Sequence, residues 1–283
     1  MIPAQDAATA QALGVRPDAS DELYQLLAAK EFADRLGSRR RAAGAPIRTI
    51  FVADETALRT PLATLLSGPE SGGGGRGGQL RVKLYLSLLW ICAKKPYDVA
   101  RPARAWAALL GLPDHEGSGV RRIQQAFRDL ESRGFIQLQE QGGRPSNAVL
   151  RSERGDGTAF VPAPEAHSVL QKNNADEAAL REHRYFRVPS TLWTDGHIAR
   201  LKGPSLAMLL ALLSERRGAE SGAVWFSPER ARERFGIATS TRREGLEHLR
   251  ELGLVTTTSR IVSENGAYID WARRRNVHEV VGL

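Results

Sequence analysis

The sequence predicts an α+β fold, mainly α, in which one unit is used twice behind an N-terminal helix. Three observations carry this reading. The run Ser227–Val255 reads as a short helix, a tight turn, a second helix and a strand. Arg101–Ile136 repeats that order, and Gly134-Phe135-Ile136 matches Gly253-Leu254-Val255 at an offset of 119 positions. Both runs are followed by hairpin signals and preceded by the same upstream elements, which an internal repeat explains better than coincidence.

Residues 1–45 hold an Ala/Gln-rich tail without periodicity as far as residue 17, then a helix over Asp18–Arg41 with Leu23, Leu26, Leu27 and Phe32 on one side. Its expected role is packing on the first unit or pairing with a second copy of the chain. The first unit spans 46–154. Arg48–Val52 reads as a strand, Pro61–Leu66 as a short helix, Leu80–Ala93 as a strongly apolar helix and Tyr97–Ala100 as a short β run. The glycine-rich stretch Gly68–Gly78 reads as a flexible loop. It is not expected to cradle phosphate, because no Gly-Lys-Ser/Thr opening a helix follows it. Pro102, Ala105, Trp106, Leu109 and Leu110 then form one helix, Gly111-Leu112 a turn, and Val120–Arg133 a second helix with Ile123, Phe127 and Leu130 inward. A hairpin follows: Ile136–Glu140, a turn over Gln141–Asn147, and Ala148–Leu150.

Residues 155–184, with Pro162, Pro164 and the polar Gln171–Asn174, read as a linker to the second unit, 185–283. There Tyr185–Val188 is a strand, Pro189–Trp193 a short helix, Ser205–Ser214 the apolar helix and Ala223–Phe226 the short β run. Ser227 caps the next helix, with Pro228 at its first position, where a missing N–H is harmless. Ala231 and Phe235 share a buried face, Gly236 supplies the turn and Ile237 plugs the angle between the helices. Thr239 or Ser240 is expected to cap the second helix, Leu246, Leu249 and Leu252 to face inward, and Gly253 to end it. Val255–Val262, the Asn-Gly turn within Ser263–Gly266 and Ala267–Trp271 make the second hairpin, and Val277–Val281 a last apolar strand.

The outline in both units is that of a winged helix-turn-helix, a DNA-reading module. The chain has 283 residues, length for two such domains, and its 40 Lys+Arg against 32 Asp+Glu give a net charge of +8, which suits a polyanionic partner. Arginines gather at Arg39–Arg41 and at Arg121-Arg122 and Arg242-Arg243 on the two reading helices, while Arg81, Lys83, Lys94, Lys95, Arg101 and Arg104 lie within the first unit. The lone cysteine, Cys92, excludes an internal disulfide and sits in an apolar helix, where it reads as core. No secretion signal or membrane span is read, and a cytoplasmic, nucleoid-associated location is expected. The six histidines are scattered, no nucleophile motif occurs, and the carboxylates Glu244, Glu247 and Glu251 stand among Arg243 and Arg250 as intrahelical partners. No enzyme activity, cofactor or metal is expected.

From Arg48 to Leu283 the chain resembles tandem winged-helix DNA-binding proteins, and the opening of its second copy, Tyr185–Pro189 through Leu206–Leu213, resembles plasmid replication initiators and related regulators of mobile elements. The resemblance implies binding of double-stranded DNA, as a transcriptional regulator or, alternatively, a replication initiator on origin repeats. A protein-interaction scaffold is the other alternative, and adjacent arginines on both reading helices favour DNA. The contact residues so implied are Arg121, Arg122, Gln124 and Gln125 in the first helix and Ser240, Thr241, Arg242 and Arg243 in the second. Arg144 and Arg260 join them from the wings, and Arg273, Arg274 and Arg275, just after the second wing, suit phosphate contact. Arg242 departs from the pattern, since it stands where Ile123 stands in the first copy.

Overall fold

The computed structural model describes residues 20–53, 59–68, 76–216, 222–225, 227–261 and 274–283. It is α+β, dominated by helices, with three small antiparallel sheets. The N-terminal segment forms α1 (Ser20–Asp34) and α2 (Ser38–Ala43). The first copy follows as β1 (Ala45–Arg48), a 3-10 turn at Thr49–Phe51, α3 (Pro61–Leu66), α4 (Arg76–Ile91), β2 (Asp98–Ala100), α5 (Ala103–Leu109), α6 (Ser118–Ser132), β3 (Ile136–Gln141) and β4 (Arg144–Leu150). Between the copies lie α7 (Ala163–Lys172) and α8 (Glu177–Glu182). The second copy contains β5 (Tyr185–Val188), α9 (Thr191–Thr194), α10 (His197–Arg200), α11 (Gly203–Arg216), β6 (Ala223–Val224), α12 (Pro228–Phe235), α13 (Thr239–Glu251), β7 (Val255–Ile261) and β8 (Arg274–Val280).

The repeat extends from element order to topology. In the first copy the strands line up β2-β4-β3, and in the second β6-β8-β7, so each time the strand before the helix pair occupies one edge and the last strand lies in the centre. The equivalent strands β1 and β5 pair with each other, antiparallel, with Ala45 opposite Val188 and Arg48 opposite Tyr185. Antiparallel pairing of two equivalent strands relates them by a local two-fold axis, as in an isologous dimer contained in one chain.

The copies share a continuous apolar cluster. One face of α4 forms the seam. Trp90 stacks on Trp193 at 4.7 Å and its ring N–H reaches Ser190 Oγ at 3.0 Å. Ser87 accepts from the Trp193 ring N–H at 2.9 Å, and Lys83 donates to the Ala199 carbonyl at 2.7 Å. Positions 83, 87 and 90 recur at helical spacing and so present one stripe to the second copy. The N-terminal helix α1 packs on both α5 and α9, and its buried Gln25 lies against Gly111 of one copy and Gly196 of the other.

Several expected boundaries move. The helix expected over Asp18–Arg41 breaks before Gly37 into two. The first strand is Ala45–Arg48 rather than Arg48–Val52, because pairing with β5 fixes it there and the chain turns at Thr49. The end of the glycine run is helical: Gly78 lies in α4 where a Cβ would stand 2.1 Å from the Leu66 carbonyl oxygen, so glycine permits α4 to touch the end of α3. The rest of that run, residues 69–75, and the tail before residue 20 lie outside the described residues. The stretch read as a linker carries α7 and α8, with α7 packed against β1. No helix among the described residues is long and apolar enough to cross a membrane.

Candidate nucleic-acid interface

In the first copy, α6 is strongly amphipathic. Ile123, Ala126 and Leu130 are buried, whereas Arg121, Arg122, Gln124, Gln125 and Arg128 are exposed. The helix begins at Ser118, two residues earlier than expected, and the turn before it runs on to Gly117. Asp114 holds that turn by accepting from the Ser118 N–H at 2.6 Å, and these hydrogen bonds keep its carboxyl below the usual range. Four hydrogen bonds then fix how α6 sits. Arg81, buried in α4, donates to Asp129 at 2.9 Å and to the Leu65 carbonyl at 3.0 Å. Arg133 donates to the Thr64 carbonyl at 2.7 Å, and Glu131 accepts from the Leu138 N–H at 2.7 Å, tying helix to hairpin. Arg81 and Lys83, counted in the sequence among the basic residues of this unit, are therefore internal fixtures; burial brings the Lys83 amine down to about 7, with Arg122 adding to the effect. Arg40 is likewise turned inward, onto the Leu89 carbonyl at 2.7 Å.

The predicted residues of α6 thus lie together on one exposed face, but they are not equivalent. Gln125 donates to Asp129 at 2.7 Å and accepts from Arg128 at 2.9 Å, so its amide is engaged along the helix. Gln124 makes no side-chain hydrogen bond among the described residues. Arg128 was missed in the sequence reading, although it stands four positions after Gln124 and so shares its face. Arg144 opens β4 at the hairpin end: the turn is the pair Gly142-Gly143, with Gly143 at positive φ, rather than the longer turn expected over Gln141–Asn147.

In the second copy, Ser227 caps α12 by accepting from the Arg230 N–H at 3.1 Å, and Gly236 and Gly253 adopt positive φ after the two helices. Ala231, Phe235, Ile237, Leu246 and Leu249 are buried, as expected. The cap of α13 is not. Ala238 holds that position with no side-chain bond, and Thr239 and Ser240 belong to the exposed first turn. Gly245 lets α13 lie directly on α11, since a Cβ there would come 2.4 Å from the Pro204 carbonyl oxygen. Ser205 and His248 meet at 2.9 Å across the same contact.

Of the residues implied on α13, Ser240 and Arg243 are exposed, while Thr241 and Arg242 are half-buried. His278 of β8 is buried, and its imidazole is pushed down to about 4, chiefly by burial and then by the positive charges of Arg242 and Arg250. Thr257 meets the His278 Nδ1 at 3.0 Å. Arg242 is thus only partly presented to solvent, which sets it apart from Ser240 and Arg243. The strand that returns beside β7 is Arg274–Val280, so Arg274 and Arg275 belong to the hairpin itself and Arg260 stands directly opposite Arg275. Arg275 lies over the Trp225 ring at 4.0 Å. Arg273 and the expected turn and return over 263–271 lie outside the described residues.

Comparison with protein families, with characterised proteins and with solved structures finds no match to this chain.

Proposed function

We propose that the chain binds duplex DNA sequence-specifically through two winged-helix units, 46–154 and 185–283, and acts as a transcriptional regulator on the nucleoid. The observation that carries this reading is the repeated topology: twice, a helix-turn-helix is followed by a hairpin whose last strand lies in the sheet centre, and the first copy's second helix presents Arg121, Arg122, Gln124 and Arg128 to solvent. Guanidinium groups on such a face supply phosphate contact, and an unengaged Gln beside them can bond adenine with both ends of its amide. The local two-fold between β1 and β5 supports a target of two half-sites related by inversion, about one DNA turn or a multiple of it apart.

Selection of bound duplexes from a random pool, followed by footprinting of the intact chain, tests this. Two protected half-sites are expected. Gln124→Ala should flatten base preference at one or two positions, at about 1–3 kcal/mol of discrimination. Recovery of no enriched sequence would refute the proposal.

A further inference from the structure

The two reading helices align position by position at the repeat offset, and their outward residues differ in charge. Arg121, Gln124, Gln125 and Arg128 of α6 correspond to Ser240, Arg243, Glu244 and Glu247 of α13, and all eight are exposed. Over these four positions, two guanidinium groups and no carboxylate are replaced by a single guanidinium group and two carboxylates. A carboxylate beside a phosphate is repelled, so α13 is the poorer element for holding a DNA backbone.

The second hairpin has the opposite character. Arg260 and Arg275 are directly opposed across β7 and β8, with Arg274 next to them opposite Ile261. Two guanidinium groups at directly opposed positions concentrate positive charge on this part of the hairpin, which attracts a polyanion. Strand alternation puts Arg260 and Arg275 on the sheet face that carries Trp225, away from the face on which His278 and Thr257 meet. Trp225 beneath Arg275 supports the guanidinium plane from below.

We propose that the second unit grips the DNA backbone with the Arg260–Arg275 pair of its hairpin, while Glu244 and Glu247 keep its helix from holding phosphates, so that the two units hold one duplex by different elements. This rests on the DNA-binding reading above.

The test is titration of the full chain with its selected duplex and with a random duplex across a salt series. Arg260→Gln should lower the slope of log K against log salt by about 1, and Arg260→Gln with Arg275→Gln by about 2, with equal losses on both duplexes. Glu244→Gln with Glu247→Gln should tighten random-duplex binding severalfold. Arg260 and the two glutamates are exposed, so these variants keep the fold even where loss of the Arg275–Trp225 stack does not. An unchanged slope in Arg260→Gln, or no tightening in the glutamate variant, overturns the proposal while leaving DNA binding intact. Failure of the unaltered chain to bind any duplex in a salt-dependent way overturns the DNA reading itself.

Discussion

Glu153 is the most buried carboxylate among the described residues, and its replacement gives the sharpest stability test. It accepts from the Arg48 backbone N–H at 2.8 Å and pairs with the Arg48 guanidinium, both side chains being almost wholly enclosed. Arg48 also donates to the Val161 carbonyl at 2.7 Å and to His183 Nδ1 at 3.3 Å, so one side chain ties β1 to the segment between the copies. Burial raises the Glu153 carboxyl while Arg48 opposes the rise. Glu153→Gln keeps an acceptor for the backbone N–H but leaves the guanidinium charge uncompensated. Breaking a buried pair from one side costs about 3–5 kcal/mol. For a chain of this size that is a fall of about 6–10 °C in Tm, read by thermal and urea unfolding followed by circular dichroism. Replacing both partners with apolar residues, Arg48→Met with Glu153→Leu, should recover much of the loss, because no orphaned charge remains. A cost below about 1 kcal/mol for Glu153→Gln would refute the reasoning, since it would mean that water already solvates Arg48.

Two further outcomes follow from the second copy. His278 is held neutral with its pKa lowered to about 4, against an ordinary value near 6.5, so below pH 6.5 the unfolded chain takes up a proton that the folded chain does not. His278 should therefore contribute a fall of about 1–2 kcal/mol between pH 7 and 5, after discounting for solvent screening, and His278→Gln should lose that share in urea titrations at the two pH values, leaving the smaller one from His183, His197 and His248, which burial also lowers. Gly245→Ala gains about 1 kcal/mol of helix propensity but drives a methyl into the Pro204 carbonyl and Met208, an overpacking of about 1–3 kcal/mol. A net loss of stability is expected; a higher Tm would show that α13 can lift from α11 freely.

Periodicity made the buried faces legible: Ile123 and Leu130 in one copy, Ala231, Phe235, Leu246 and Leu249 in the other, each lie inside where their spacing placed them. Local turn chemistry served equally well where it was strong, as at Ser227, Gly236 and Gly253. What the sequence could not convey is set by partners distant in the chain. The first strand was misplaced by three residues because β5, more than a hundred positions away, decides its register. Arg81 and Lys83 read as surface charge, since nothing nearby in the sequence announces a carbonyl at Leu65 or Ala199 waiting to receive them. Gln124 and Gln125 looked alike until Asp129 and Arg128, one turn along, distinguished them.

Arg242 shows how such distant partners can change a repeat without erasing it. Its counterpart Ile123 is wholly buried beneath α6, and an arginine placed there alone would face a desolvation cost. The second copy accommodates it by leaving it half-buried, and its charge helps to hold the imidazole of His278 neutral. The helix keeps its inward contacts through Gly245, Leu246 and Leu249, so topology survives while the outward surface is altered. A core position given over to a cation is compatible with the fold only if packing elsewhere suffices. Gly245 supplies that packing by letting α13 approach α11 to backbone contact, so Gly245→Ala should not be rescued by an Arg242→Ile change, because the methyl collides with α11 whatever side chain stands at position 242.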